Sequence, residues 1–409
     1  RIYKAWNVPP RDTEAAAHFD LASSVLVGGK NSPLYKELVY DKQIATNVSA
    51  FYYDREIAGM FFLVVDVVAG EDPVAVENAM DEVMDAFIRK GPNAKLLKAE
   101  KTKALAGFIR GIQRIGGFGG KSDLLATCQT YTGNPGCYRE NARYLDEVTP
   151  AKMKATFAEW IDDTPYVLTI LPNEKLGVND TGVDRSSGVP YPTEKVSFKF
   201  PTLQTATLSN GAKVVLAQRT GVPLVELNFQ FSFGYAQENN DELGYTNFMM
   251  DMLNEGTKKY SSLQFDEVLD SLGSNLGFGS GLDTSYATVS SLKTNLVETL
   301  DLAREALIHP TFPQKEIDRV KKQTLASIVQ EENRPAAIAY RNIGKLLYGD
   351  NHPYGKPLTG SGISATISDI TREDVIAVHK RAINPANLTF AVAGDINLDE
   401  LVEMLEVTF

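Results

Sequence analysis

Apolar residues recur at three- and four-residue spacing over several long stretches of the chain. The spacing predicts amphipathic helices over Asp12 to Val27, Pro73 to Lys90, Ala94 to Gln113, Leu243 to Asn254, Ser262 to Leu272, Leu296 to Ile308, Gln314 to Glu332 and Ala336 to Leu347. Shorter runs rich in β-branched and aromatic residues predict strands at Ile2 to Trp6, Phe51 to Tyr53, Met60 to Val68, Lys213 to Leu216, Leu224 to Phe233 and Tyr286 to Leu292. The helices cluster in pairs between pairs of strands instead of alternating with them singly. That order predicts an α+β fold, with mainly antiparallel sheets and helices packed on one face.

The pattern repeats. Thr149-Pro150 opens a helix through Trp160 that is followed by a strand, Tyr166 to Leu171. Thr371-Arg372 opens a helix through Ala382, followed by a strand from Leu388 to Ala393. The two threonines, each placed to cap its helix, are 222 positions apart (371 minus 149). A helix containing Ala104-Leu105-Ala106 has a counterpart at Thr324-Leu325-Ala326, offset by 220 (324 minus 104). The chain therefore reads as two homologous modules. Between them the periodicity lapses, and Gly, Asp, Ser, Pro and Lys dominate from Asn173 to Pro201. Such composition joins domains. The expected division is residues 1–172, a linker at 173–201, and residues 202–409.

Composition narrows the function. An apolar content of 43% is ample for packed cores. The net charge of −11 works against nucleic-acid binding, because an acidic surface repels phosphate backbones. No apolar run reaches the ~20 residues needed to span a bilayer. The chain opens at Arg1 directly into a strand pattern and ends inside a helical one, as a piece of a longer protein would. Cys128 and Cys137 flank turn signals. Their spacing allows a disulfide, which would imply an oxidising compartment, and equally allows two separate small residues.

Candidate chemistry is sparse. His18, His309, His352 and His379 have no partner at a metal-ligand spacing and read as structural or solvent-facing. Gly116-Gly117-Phe118-Gly119-Gly120-Lys121-Ser122 invites comparison with a phosphate loop. However, Ile115 stands where that pattern needs glycine, and the segment follows a helix rather than a strand, so it reads as an inter-helix loop.

The informative segment is Gly244-Tyr245-Thr246-Asn247-Phe248-Met249-Met250-Asp251-Met252-Leu253-Asn254-Glu255-Gly256-Thr257. It resembles the signature of the insulinase/pitrilysin family of zinc peptidases, Gly-x-x-His-x-x-Glu-His-Met-x-x-x-Gly-Thr. Gly244, Met252, Gly256 and Thr257 match that frame. The two zinc histidines fall on Asn247 and Asp251, and the general-base glutamate falls on Met250. In an intact motif, histidines at i and i+4 share a helix face and one metal, and the glutamate activates the bound water. Methionine takes no proton, and asparagine is a poor zinc ligand. The family's third ligand, a later glutamate, corresponds to Ser327. Further matches follow in the family's order: His352-Pro353-Tyr354-Gly355, Thr359-Gly360-Ser361, Asn384-Pro385-Ala386-Asn387 and Ala393-Gly394-Asp395. Gly28-Gly29-Lys30-Asn31-Ser32-Pro33-Leu34-Tyr35 resembles a segment of the family's second, non-catalytic domain.

The resemblance implies the second and third domains of a four-domain, bacterial periplasmic-type peptidase. Residues 1–172 would be the second domain, truncated at its N-terminus, and residues 202–409 the third. This chain would hold no metal, cofactor or catalytic residue, with zinc in the missing first domain. Peptide or unfolded polypeptide would be the substrate. The missing first and fourth domains, or a catalytic partner subunit, would complete the chamber, with 173–201 as its hinge. The alternative is a wholly inactive family member serving as a structural or partner subunit. A third possibility, a phosphate-binding enzyme built on Lys121-Ser122, has only the glycine loop behind it.

Overall fold

The computed structural model describes residues 1–161, 165–170 and 201–409. All of the predicted 173–201 linker except Pro201 lies outside these residues.

The first sheet is antiparallel, with strands β1 (Ile2–Val8), β2 (Ala45–Tyr53), β3 (Gly59–Val67) and β4 (Tyr166–Thr169) in the order β2-β3-β1-β4. Among the described residues six helices accompany it: α1 (Glu14–Val27), α2 (Pro73–Lys90), α3 (Ala94–Gly111), α4 (Lys121–Thr132), α5 (Cys137–Glu147) and α6 (Pro150–Trp160). A π-helical segment, Tyr35–Asp41, follows α1. The inner face of the sheet buries Ile2, Trp6, Phe61, Leu63 and Val65 against Phe19, Met80, Phe87 and Phe157. At full burial such side chains stabilise by about 1.5–3 kcal/mol each. Lys4 also points inward, and α2 answers its charge with Glu77 at 3.0 Å and Asp81 at 2.6 Å.

Among the described residues the second sheet has six strands: β5 (Gln204–Thr207), β6 (Lys213–Gln218), β7 (Leu224–Phe231), β8 (Asn275–Ser280), β9 (Ser285–Leu292) and β10 (Leu388–Gly394). Their order is β5-β6-β10-β7-β9-β8, and only β6 and β10 run parallel. Its helices are α7 (Tyr245–Met252), α8 (Ser262–Ser271), α9 (Leu296–Ile308), α10 (Gln314–Glu332), α11 (Pro335–Tyr348), α12 (Ser364–Asp369), α13 (Arg372–Ala382) and α14 (Leu398–Thr408). The core joins Phe229, Phe231, Phe390 and Val289 of the sheet to Phe248, Met250, Leu300 and Ile317 of the helices.

The α+β class holds, and the duplication is visible in the topology. The run β8-β9-β7-β10 repeats β2-β3-β1-β4 strand for strand and direction for direction. The second sheet adds the β5-β6 pair beyond β10. Thr149 and Thr371 both cap their helices, accepting from the N–H of Lys152 and Asp374. The helices over Pro73–Lys90, Leu296–Ile308 and Gln314–Glu332 have the predicted bounds. The sequence pattern missed β5, β8, α4, α5, α12 and the π-helical turn. Cys128 and Cys137, left open by spacing, form a disulfide that ties α4 to α5.

The two modules meet through equivalent elements. Helix α3 lies against α8, and Arg110 Nη2 donates to the Gly273 carbonyl at 2.8 Å. Its counterpart α10 lies against β2 and the π-helical turn, where Gln330 reaches Thr46 and Glu316 accepts from the Tyr40 hydroxyl at 2.6 Å.

Candidate functional site

Helix α7 carries the segment that resembles the metal motif. Gly244 precedes it in the left-handed region (φ 92°), packed so closely on Ser361 and Gly362 that no side chain fits. Glu238, a buried carboxylate, accepts from the N–H groups of Gly244 (2.9 Å) and Thr246 (2.6 Å) and so satisfies the helix start.

The structure brings Asn247, Asp251 and Ser327 to the wall of one open cavity of about 520 Å³. Asn247 and Asp251 share a face of α7 four residues apart, and Ser327 comes from α10 opposite. Phe278, Gly279 and Ser280 of β8 and the Thr359–Ser361 loop close the sides. Met250 does not join them. It points into the core and is fully buried.

These residues do not fit a zinc ion. The Asn247 amide is spent at both ends: its oxygen accepts from the Ser280 N–H at 2.9 Å, and its nitrogen donates to the Gly360 carbonyl at 3.1 Å. It clamps the tip of β8 to the loop. Ser327 offers a neutral hydroxyl in place of a carboxylate. Asp251 alone retains ligand chemistry, and among the described residues no three His, Cys, Asp or Glu side chains converge as a metal site.

Among the described residues Asp251 has no hydrogen-bond or ion-pair partner. It sits recessed in the cleft yet still open to solvent. The surrounding protein and then the charge of Glu255 push its carboxyl up to about 6. Glu255, four residues on, behaves in the opposite way. Burial raises its carboxyl, but Lys30 and Arg319 outweigh that and hold it below its ordinary value. Lys30 Nζ lies 2.9 Å from Glu255, and Arg319 also bridges to Glu316 at 2.7 Å. Lys30 belongs to the Gly-Gly-Lys-Asn segment of the first module, so the buried network joins the two modules behind the cleft. Sequence reasoning missed Glu255, because it occupies a variable position of the motif. A carboxylate directly before the Gly256-Thr257 turn is the one signal it left.

The other candidate residues stand apart from the cleft. His18 is buried with Nδ1 2.6 Å from Thr156 Oγ1, His379 binds the Leu307 carbonyl, and His352 stacks on Tyr348. His309 caps the end of α9. Lys121 and Ser122 open α4 after the glycine loop.

Comparison with known proteins places this arrangement in a family. The description "Insulinase (Peptidase family M16)" matches residues 213–361, and "Peptidase M16 inactive domain" matches residues 1–104 and 369–409. The two matches together cover well over half of the chain, which belongs to the insulinase family of peptidases. It is similar to an uncharacterized zinc protease of Rickettsia felis, 26% identical over 202 residues that make up 49% of this chain and 48% of that one. The non-peptidase homolog YmxG of Helicobacter pylori is 24% identical over 212 residues, 50% of this chain and 48% of that one. A crystal structure of a peptidase M16 inactive domain from Pseudomonas fluorescens is 28% identical, with a TM-score of 0.48, over 51% of this chain and 50% of that one. The aligned regions cover about half the length of the curated relatives that this chain matches. Among the described residues no helix is long and apolar enough to cross a membrane.

Proposed function

We propose that this chain is a non-catalytic segment of a zinc-dependent endopeptidase of the insulinase family, forming wall and hinge of a chamber for peptide substrates. On this reading, residues 1–172 are the second domain of the parent and 202–409 the third. Residues 173–201 are the hinge between them, and zinc is held in a first domain that this chain does not contain. Asn247, Met250, Asp251 and Ser327 are the vacated ligand and general-base positions. The observation that carries the reading is the fate of α7. It keeps a place beside an open cleft, while Asn247 is consumed in a structural clamp and Met250 is buried in the core.

The first sheet supports the wall role. Register puts Phe51, Phe62, Val64, Tyr166 and Leu168 on its outer face, opposite the helices. Phe51, Tyr166 and Leu168 are exposed there. An apolar, aromatic face of this kind suits unfolded polypeptide. The equivalent face of the second sheet is polar, with Glu226, Asn228 and Gln230. The disulfide fits an oxidising compartment such as the periplasm.

A wholly inactive family member acting as a partner subunit is the second reading, favoured by the similarity to a non-peptidase homolog. A His-x-x-Glu-His motif upstream in the parent chain separates the two. The test for this chain uses a fluorescein-labelled unfolded peptide, followed by anisotropy and by mass spectrometry. Binding without cleavage is expected. Chelator-sensitive cleavage, or no binding at all, would overturn the proposal.

A further inference from the structure

The two junctions between the modules are related by the duplication, yet they differ in one place. Helix α10 meets the π-helical turn, and helix α3 meets α8. At the α10 junction the protein fills its own gap. The buried Tyr40 ring lies 5.3 Å from the ammonium of Lys315, the second residue of α10, and 4.8 Å from the guanidinium of Arg319. The ring quadrupole attracts both cations.

At the α3 junction Lys95 is likewise the second residue of its helix. Tyr40 stands five residues before β2 (45 minus 40), and five residues before β8 stands Asp270 (275 minus 270). An aspartate thus takes the place of the tyrosine, and a cavity of about 460 Å³ opens beside it. At one end α3 and α8 touch. A Cβ on Gly273 would meet Thr102 at 3.0 Å and Ala106 at 3.3 Å. Away from that end, Pro33, Leu96 and Ala99 give the cavity an apolar lining.

Its walls are oppositely charged. Lys95 and Lys98 lie one turn apart on α3, and Glu267 and Asp270 lie one turn apart on α8. Lys103 holds Asp270 at 2.8 Å. Lys95 and Glu267 pair across the gap, but their side chains are 72% and 42% exposed. A pair so exposed contributes little and opens easily.

We infer that this cavity binds a short peptide with free ends and an aromatic C-terminal side chain. The ring takes the place beneath Lys95 that Tyr40 takes beneath Lys315. The carboxylate meets Lys98, and the α-ammonium meets Glu267. The ligand touches both modules, so its binding strengthens their contact. The inference stands apart from the chamber-wall reading, because the cavity lies at the module junction and not on a sheet face.

Isothermal titration of the whole chain with the dipeptide Ala-Phe tests it, beside Ala-Ala and the doubly blocked N-acetyl-Ala-Phe-amide. Ala-Phe is expected to bind about tenfold more tightly than either, the scale of one cation–ring contact or one partly desolvated ion pair. Lys98→Glu, at an exposed position, should weaken Ala-Phe about tenfold and leave the circular dichroism unchanged. In the natural chain Ala-Phe should slow hydrogen exchange over residues 94–102 and 262–271. Failure of Ala-Phe to bind, or equal binding of either control, would overturn the inference. So would unchanged affinity in a folded Lys98→Glu, or unchanged exchange in both helices.

Discussion

Replacing Glu255 with alanine should uncouple the two modules. Its carboxylate is 6% exposed and answers two cations, Lys30 from the first module and Arg319 from the second. Without it, Lys30 keeps only the Ser262 hydroxyl at 3.1 Å, and Arg319 keeps Glu316. Removing one partner of a buried ion pair costs about 3–5 kcal/mol, chiefly because the charges left behind lose their compensation. Lys30 can relax toward solvent, since its side chain is 14% exposed, which favours the lower end, about 3 kcal/mol. Glu255→Gln retains hydrogen-bonding capacity and should cost about half as much. The assay is urea unfolding read by two signals. Both tryptophans, Trp6 and Trp160, lie in the first module, so their fluorescence reports on that module, whereas far-ultraviolet circular dichroism reports on both. The two curves should nearly coincide for the natural chain and separate in Glu255→Ala, with dichroism moving first. The stabilisation also has a defined pH window. A carboxyl held below its ordinary value contributes fully above about pH 4.5 and loses its contribution as the pH falls through the depressed value. Curves that stay coincident, with a loss under 1 kcal/mol at pH 7, would refute the reasoning.

Asp251→Asn should act in the opposite sense. The fold raises this carboxyl from 3.8 to about 6, so its charged form opposes folding as the pH rises between those values. Discounted for its exposure, the substitution should stabilise by about 1 kcal/mol at pH 8 and by nothing below pH 4, and thermal melts showing an equal gain at both would contradict this. Gly360→Ala should destabilise by about 1–2 kcal/mol. The residue has φ 71°, and the added methyl would strike the Asn247 amide, so faster hydrogen exchange at Ser280 is the accompanying readout. Replacing Cys128 and Cys137 together by serine should cost about 2.5 kcal/mol, the chain-entropy value for a loop of this length. Hydrogen exchange should place that loss in α4 and α5, and unchanged protection there would refute it.

The long helices were legible because their apolar stripes are strict and their caps stand in place, as at Thr149 and Thr371. Strand β8 was not legible. Its sequence, Asn275-Leu276-Gly277-Phe278-Gly279-Ser280, holds two glycines, which weaken strand preference. Gly279 is there because the Tyr286 ring of β9 lies across it, so that a Cβ would meet the tyrosine hydroxyl at 2.7 Å. That fact belongs to the pairing and to no local pattern. The candidate site divides in the same way. The spacing of Asn247, Met250 and Asp251 is readable as a motif with its chemistry removed. The Asn247 clamp reaches Gly360, 113 residues away, and the Lys30–Glu255 pair spans 225 residues. Charged residues in a line of sequence read as surface until the fold buries them together.

The central claim is that the metal-motif helix survives here without its metal. The most direct measurement is elemental analysis of the purified chain after incubation with zinc and exhaustive dialysis. The account predicts far less than one zinc per chain, unchanged by Asn247→Ala. One tightly held zinc per chain, lost in Asn247→Ala or Asp251→Ala, would contradict it.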